Sequence, residues 1–249
     1  MEQGRLMGGL DWRSQEGFEI RCEWGEAGVR RLAPICKVIV IVDVLSFSTC
    51  VSVAVERGAV VYPYRFKDET AATYAASIGA RHAGSRETGG YSLSPGSMRE
   101  IPSGTRLVLP SPNGATLTLL AGDTPVLAGC LRNAAAVARA AESFGHPIAV
   151  IPAGERWPDG SLRPAVEDLI GAGAIIAGLY RKKSPEAGAA ESACAAATAK
   201  GLEAVLRECM SGIELIERGW PSDVVMAAQR DTSSTVPVLQ DGVYRRFTA

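Results

Sequence analysis

Apolar and polar positions divide this chain of 249 residues into short apolar runs separated by loops rich in glycine, asparagine and serine. The purest run is Val38-Ile39-Val40-Ile41-Val42, β-branched throughout. A run without polar alternation predicts a strand covered on both faces, and therefore a sheet lying between helix layers. It ends on Asp43, and the small hydroxyl residues Ser46, Ser48 and Thr49 follow. Residues 51–57 then read as a helix stopped by Gly58. Ala59-Val60-Val61-Tyr62 reads as the next strand, so 38–62 looks like a βαβ unit with a parallel pair.

The same reading extends along the chain. Residues 18–24 (FEIRCEW) alternate, as in a strand with one wet face. Asp68 caps a helix to about residue 78. Strands at 106–109, 126–128 and 148–151 each run into a Gly/Asn/Ser loop. Helices follow to residue 120 and over 134–144, the second capped by Asn133. Glu167 and Asp168 open a small-residue helix whose Gly171, Gly173 and Gly178 cost propensity, which implies close backbone packing or a wide turn. Helices follow at 185–210, 211–219 and 222–229, the last capped by Ser222, and a hairpin closes the chain around Asp241-Gly242. Alternating strands and helices predict an α/β fold on mixed, largely parallel sheets with helices on both faces. Residues 1–17 read as a loose arm ahead of a single unit covering 1–249. The Gly- and Pro-rich stretch 79–104 is either a functional loop or a free surface excursion.

Composition narrows the class. The chain is 47% hydrophobic and 21% charged, which is enough apolar material for a sizeable core. A net charge of −1 without a basic block argues against nucleic acid or a membrane surface as partner. There is no apolar run long enough to span a bilayer and no signal-like start. The six cysteines show no CxxC spacing. A cytoplasmic protein with reduced thiols is expected.

Candidate chemistry lies in carboxylates and anion-binding loops. Two histidines, His82 and His146, are too isolated for a metal site or triad. Neither a dinucleotide nor a P-loop glycine pattern is present. Asp43 stands where a buried strand meets a helix, the position at which open α/β sheets place active sites, although it could equally serve as a helix cap. Glu167 and Asp168 are hard oxygen donors suited to Mg²⁺, or acids that favour a helix N-terminus. The loops 111–116 and 129–133 can offer backbone N–H groups to an anion, or be ordinary turns. Arg86, Arg132 and Arg156 can bind phosphate, carboxylate or sulfonate.

In order, DVLSFST (43–49), SPNGAT (111–116), GCLRNAAAVA (129–138), IPAGERW (151–157) and VEDLIGAGAII (166–176) resemble the 2-phosphosulfolactate phosphatases. The likeness spans roughly residues 37–240. It implies two α/β parts around mixed sheets and Mg²⁺-dependent hydrolysis of a phosphate ester on a small sulfonated hydroxy acid. On that basis Asp43, Glu167 and Asp168 are the expected catalytic and metal-binding residues. Asn113, Gly114 and Asn133 would cradle the phosphoryl oxygens, and Arg132 and Arg156 would bind the substrate's acid groups. Three departures stand out. Ser46-Phe47 occupy the place of the family's Arg-Ala, Gly90 to Pro95 lack its Phe-Asp-x-Gly-Asn element, and Pro112 replaces a threonine.

The rival expectations are a phosphatase for another small phospho-acid, a non-catalytic binder of an anionic metabolite, and an oligomerising scaffold built on the Gly-rich helix. The Ala-rich 185–210 region either meets a partner in a homodimer or packs within the chain. The Asp-x-Asp of haloacid-dehalogenase phosphatases is absent, because Leu45 holds its second position.

Overall fold

A computed structural model describes residues 12–248. The first half contains β1 (Ile20–Cys22), α1 (Gly25–Leu32), β2 (Val38–Val42), α2 (Phe47–Glu56), β3 (Val60–Tyr64), α3 (Glu69–Ser77), β4 (Arg81–His82), β5 (Arg106–Pro110) and α4 (Gly114–Leu120). Then come β6 (Val126–Gly129), α5 (Ala134–Ser143), β7 (Ile148–Pro152), the ribbon β8 (Glu155–Arg156) and β9 (Leu162–Arg163), and α6 (Val166–Ile176). The chain closes with α7 (Pro185–Lys200), α8 (Leu202–Glu208), α9 (Met210–Glu217), α10 (Pro221–Ala227), β10 (Pro237–Gln240) and β11 (Val243–Arg246). The expected arm falls mostly outside the described residues. Of its described part, Gln15 is buried and its side chain bonds both backbone groups of Cys22, which docks it on β1.

Nine strands form one mixed, mostly parallel sheet in the order β1-β7-β2-β6-β10-β11-β3-β5-β4. β2 explains its own sequence. It lies between β7 and β6, parallel to both, and every residue in it is buried. Val38, Val40 and Val42 face the core built with α5, α6 and α7, whereas Ile39 and Ile41 face the core shared with α1, α2 and α4. Burying each such side chain contributes about 1.5–3 kcal/mol, so polar alternation would be costly here.

β2 and β3 are not neighbours, contrary to the βαβ expectation. β6 and the C-terminal hairpin lie between them. The hairpin turns on Asp241 and Gly242, both at positive φ, as a tight two-residue turn requires. Its pairings with β6 and β3 are both antiparallel, so the block β3-β5-β4 runs opposite to β1-β7-β2-β6. Each junction consists of a single residue pair, Val238 with Leu127 and Tyr244 with Val61. The two α/β parts implied by the resemblance are therefore two parallel blocks of one continuous sheet. α2 and α4 contact both blocks. Tyr244 fixes this inner layer: its ring packs on Phe47 at 6.1 Å and its hydroxyl lies 2.7 Å from Thr118 Oγ1.

On the other face α6 packs against α7. A Cβ on Gly173 would lie 1.9 Å from the Ala190 carbonyl oxygen, so glycine is required for this approach. The small-residue stripe is thus occupied within the chain. The 185–210 helix breaks at Gly201, whose φ is 93°. α10 begins at Pro221 instead of being capped by Ser222, since proline at the first helical position is already set for the helix. All six cysteines are free and buried.

Candidate active site

Asp43 follows β2 directly and is only 6% exposed. Its Oδ1 accepts from the Phe47 N–H at the start of α2, at 2.9 Å. Its Oδ2 accepts from the Gly114 N–H at the start of α4, also at 2.9 Å. Asp43 thus bonds the first N–H of α2 and also lines a cavity. Gly114 has no room for a side chain, since a Cβ there would lie 2.3 Å from the Phe47 ring and 2.8 Å from Asp43 Oδ2. Its N–H is spent on Asp43 and is not open to a phosphoryl oxygen.

Asp168, in the first turn of α6, reaches back across the loops. Its Oδ1 accepts from the Val44 N–H at 2.7 Å and its Oδ2 from the Gly154 N–H at 2.9 Å. Glu167 beside it is 2% exposed. The structure thus brings Asp43, Glu167 and Asp168 into one electrostatic neighbourhood. Burial, with the nearby Glu167 charge, raises the Asp43 pKa despite the two N–H bonds. Burial and then the charges of Asp43 and Glu167 push Asp168 well up.

A fourth carboxylate belongs to this group. Glu155, on β8, accepts from Asn113 Nδ2 at 2.8 Å. Burial first, and then Asp43, raise its pKa to about 7. Asp43, Glu155 and Asn113 line a cavity of about 160 Å³ with Ser46, Ser111, Lys67, Arg86 and Arg218. Lys67 makes no hydrogen bond among the described residues. Its withdrawal from water, and then the Arg86 charge, lower its pKa, while Asp43 and Glu155 act the other way. The cavity is therefore lined by both carboxylates and cations.

The remaining expected site residues lie elsewhere. Asn133 is fully buried. Its Oδ1 accepts from Cys130 N–H at 2.9 Å and its Nδ2 donates to the Ala128 and Thr235 carbonyls. It is a framework residue with no polar atom left for substrate. Arg132 pairs with Glu56 at 3.6 Å and bonds Gln229, away from the Asp43 cavity. Arg156 pairs with Glu26 at 2.6 Å and lines a separate cavity of about 220 Å³ that adjoins the first through Asn113 and Glu155.

Lys67 and Glu155 are the residues sequence reasoning missed. Lys67 stands just beyond β3, and the rule that places sites at the carboxyl ends of strands could have found it. Glu155 lay inside the IPAGERW segment, hidden beside the more conspicuous Arg156. No helix among the described residues is long and apolar enough to cross a membrane.

Comparison with known proteins identifies the family. A family model described as 2-phosphosulpholactate phosphatase matches residues 29–242. The chain is also 32% identical over 209 residues to a 2-phosphosulfolactate phosphatase of Methanothermobacter thermautotrophicus, covering 82% of this chain and 87% of the relative. The family match runs from α1 through β10 and takes in every carboxylate that lines the cavity, and the chain belongs to the 2-phosphosulpholactate phosphatase family, a group of phosphoric monoester hydrolases.

Proposed function

We propose that this protein hydrolyses 2-phosphosulfolactate to sulfolactate and phosphate, with Mg²⁺ as its metal. The observation that carries the reading is the 160 Å³ cavity lined together by Asp43, Glu155, Lys67 and Arg86. Its cations attract a small ester bearing two acid groups. Its carboxylates are hard oxygen donors of the kind Mg²⁺ takes.

The donor set fits such an ion. Asp43, Glu155, Glu167 and Asp168 repel one another through buried charges, and a divalent cation relieves that repulsion. Among the described residues no three His, Cys, Asp or Glu side chains form a complete ligand cluster. Mg²⁺ commonly keeps waters and phosphate oxygens beside one or two carboxylates, so a complete protein cage is not needed. Asp43 would hold the ion from the cavity side, with the buried charges of Glu167 and Asp168 behind it favouring a cation there, and the ion would neutralise charge on the phosphoryl group.

The chain's own residues supply the rest. Lys67 binds a phosphoryl oxygen as a compact, unpaired ammonium. Asn113 orients Glu155 through the 2.8 Å bond. Burial raises the Glu155 pKa, which suits it to hold a proton and pass it to the leaving alkoxide. Substituting D43N tests the reading. Turnover should fall by roughly a hundredfold or more, and the rise in melting temperature on adding Mg²⁺ should shrink. An unchanged rate would reject Asp43 as the centre of the site. A second reading, hydrolysis of another small phospho-acid such as phospholactate or phosphoglycolate, draws on the departures at Ser46-Phe47 and Gly90 to Pro95, which remove an arginine and an acid.

A further inference from the structure

We infer that Arg86 is the specificity residue of this site, binding the substrate's second acid group with the free end of a guanidinium held in place by Asp223 and Ser46. The inference rests on the phosphatase reading above and adds to it which residue recognises the non-reacting end of the ester.

Position is the first argument. Arg86 lines both the 160 Å³ cavity beside Asp43 and the 630 Å³ cavity outside it, together with Lys67, Leu93 and Arg218. It therefore stands where a short ester would leave the reaction centre. Arg218 lines the same two cavities, but its guanidinium is already paired with Glu87 at 3.0 Å and Glu214 at 3.2 Å and is half exposed. Arg86 is held more firmly, with its side chain 13% exposed.

Donor arithmetic is the second. A guanidinium carries a fixed fork of N–H groups. Arg86 Nε donates to Asp223 Oδ2 at 3.3 Å, and Nη2 donates to Ser46 Oγ at 2.9 Å and to the Leu93 carbonyl. Nη1 makes no hydrogen bond among the described residues, and it is not among the buried unpaired atoms. Its two N–H groups are the part of Arg86 left to meet an oxyanion.

Preorganisation is the third. Asp223 is 1% exposed and its Oδ1 accepts from Ser94 Oγ at 2.6 Å, so the carboxylate that anchors Arg86 is itself fixed. Ser46 stands three residues after Asp43, so the bond from Nη2 ties the guanidinium to the turn that carries Asp43. A cation whose geometry is set before binding loses little entropy when the ligand arrives. Asp223 is in these terms a positioning residue for Arg86.

The test compares wild type with R86Q, with R86K, and with R86Q/D223N, which avoids leaving the buried Asp223 unpaired. Mg²⁺-supported hydrolysis is measured on 2-phosphosulfolactate and on p-nitrophenyl phosphate, which lacks a second acid group. Binding of sulfolactate is measured by calorimetry. The expected result is a KM for 2-phosphosulfolactate raised by about tenfold or more in R86Q and R86Q/D223N, partly restored in R86K. The loss on p-nitrophenyl phosphate should be several times smaller than the loss on 2-phosphosulfolactate. Equal losses on both esters, or no loss on either, overturn the assignment. Should wild type release phosphate from no ester, the phosphatase reading fails and the binding arm decides. Sulfolactate affinity weakened about tenfold in R86Q/D223N supports Arg86. Unchanged affinity, or no binding to wild type, overturns it.

Discussion

The Gly114 N–H donates to Asp43 Oδ2 at 2.9 Å, joining the carboxyl ends of two strands, β5 and β2, that belong to opposite blocks of the sheet. The strands run in opposed directions along the sheet order, yet their carboxyl ends meet. α2 and α4, which contact both blocks, are placed so that their first turns share one carboxylate.

Replacing Gly114 by alanine tests that juncture. The added Cβ would overlap the Phe47 ring and crowd Asp43 Oδ2, neither of which can swing away. G114A should destabilise the fold by about 1–3 kcal/mol, as overpacking does. Urea denaturation checks the stability, and the loss of turnover should exceed what the unfolded fraction explains.

Asp168 is a second brace. It accepts two backbone N–H bonds, from Val44 and Gly154. Asparagine offers one acceptor oxygen and would turn an NH₂ toward the other N–H. D168N should cost about 1–3 kcal/mol by leaving a buried donor unpaired. Protection of the Val44 and Gly154 amides from hydrogen exchange should fall in the variant, and unchanged protection would contradict the brace.

Much of this could be read in the chain. The β2 run announced its two-sided burial because five β-branched residues admit few other environments. Asp68 caps α3 as expected, accepting from the Thr70 N–H at 3.0 Å. The pairing of β2 was not legible, because the C-terminal hairpin inserts between the blocks and local sequence carries no record of a strand arriving from two hundred residues away. The site was half legible. Asp43 and Asn113 line one cavity and the charges of Glu167 and Asp168 lie close to Asp43, whereas Asn133 serves as a core hydrogen-bond hub, because a buried asparagine and a phosphate-binding one look alike in a Gly/Asn loop.

Asn133 therefore has its own prediction. N133A removes the acceptor for Cys130 N–H and the donor to two carbonyls. It should lower stability by about 1–3 kcal/mol, measured by thermal denaturation. KM of the folded enzyme should stay within about twofold.

Glu155 sets a pH dependence. Its pKa rises from an ordinary 4.5 to about 7 in the folded protein, mainly through burial. Between these values the folded state keeps a proton that the unfolded chain releases, so stability falls as pH rises. In EDTA the melting temperature should decline from pH 5 toward pH 7, and E155Q should flatten the slope. An identical slope in E155Q would place the effect elsewhere.

The central claim is tested most directly by phosphate release from 2-phosphosulfolactate by the purified protein, with Mg²⁺ and with EDTA, beside phospholactate and phosphoglycolate. The account predicts Mg²⁺-dependent release that favours the sulfonated ester and disappears in D43N. Release that is indifferent to EDTA and survives in D43N, or no release from any of the three esters, would contradict it.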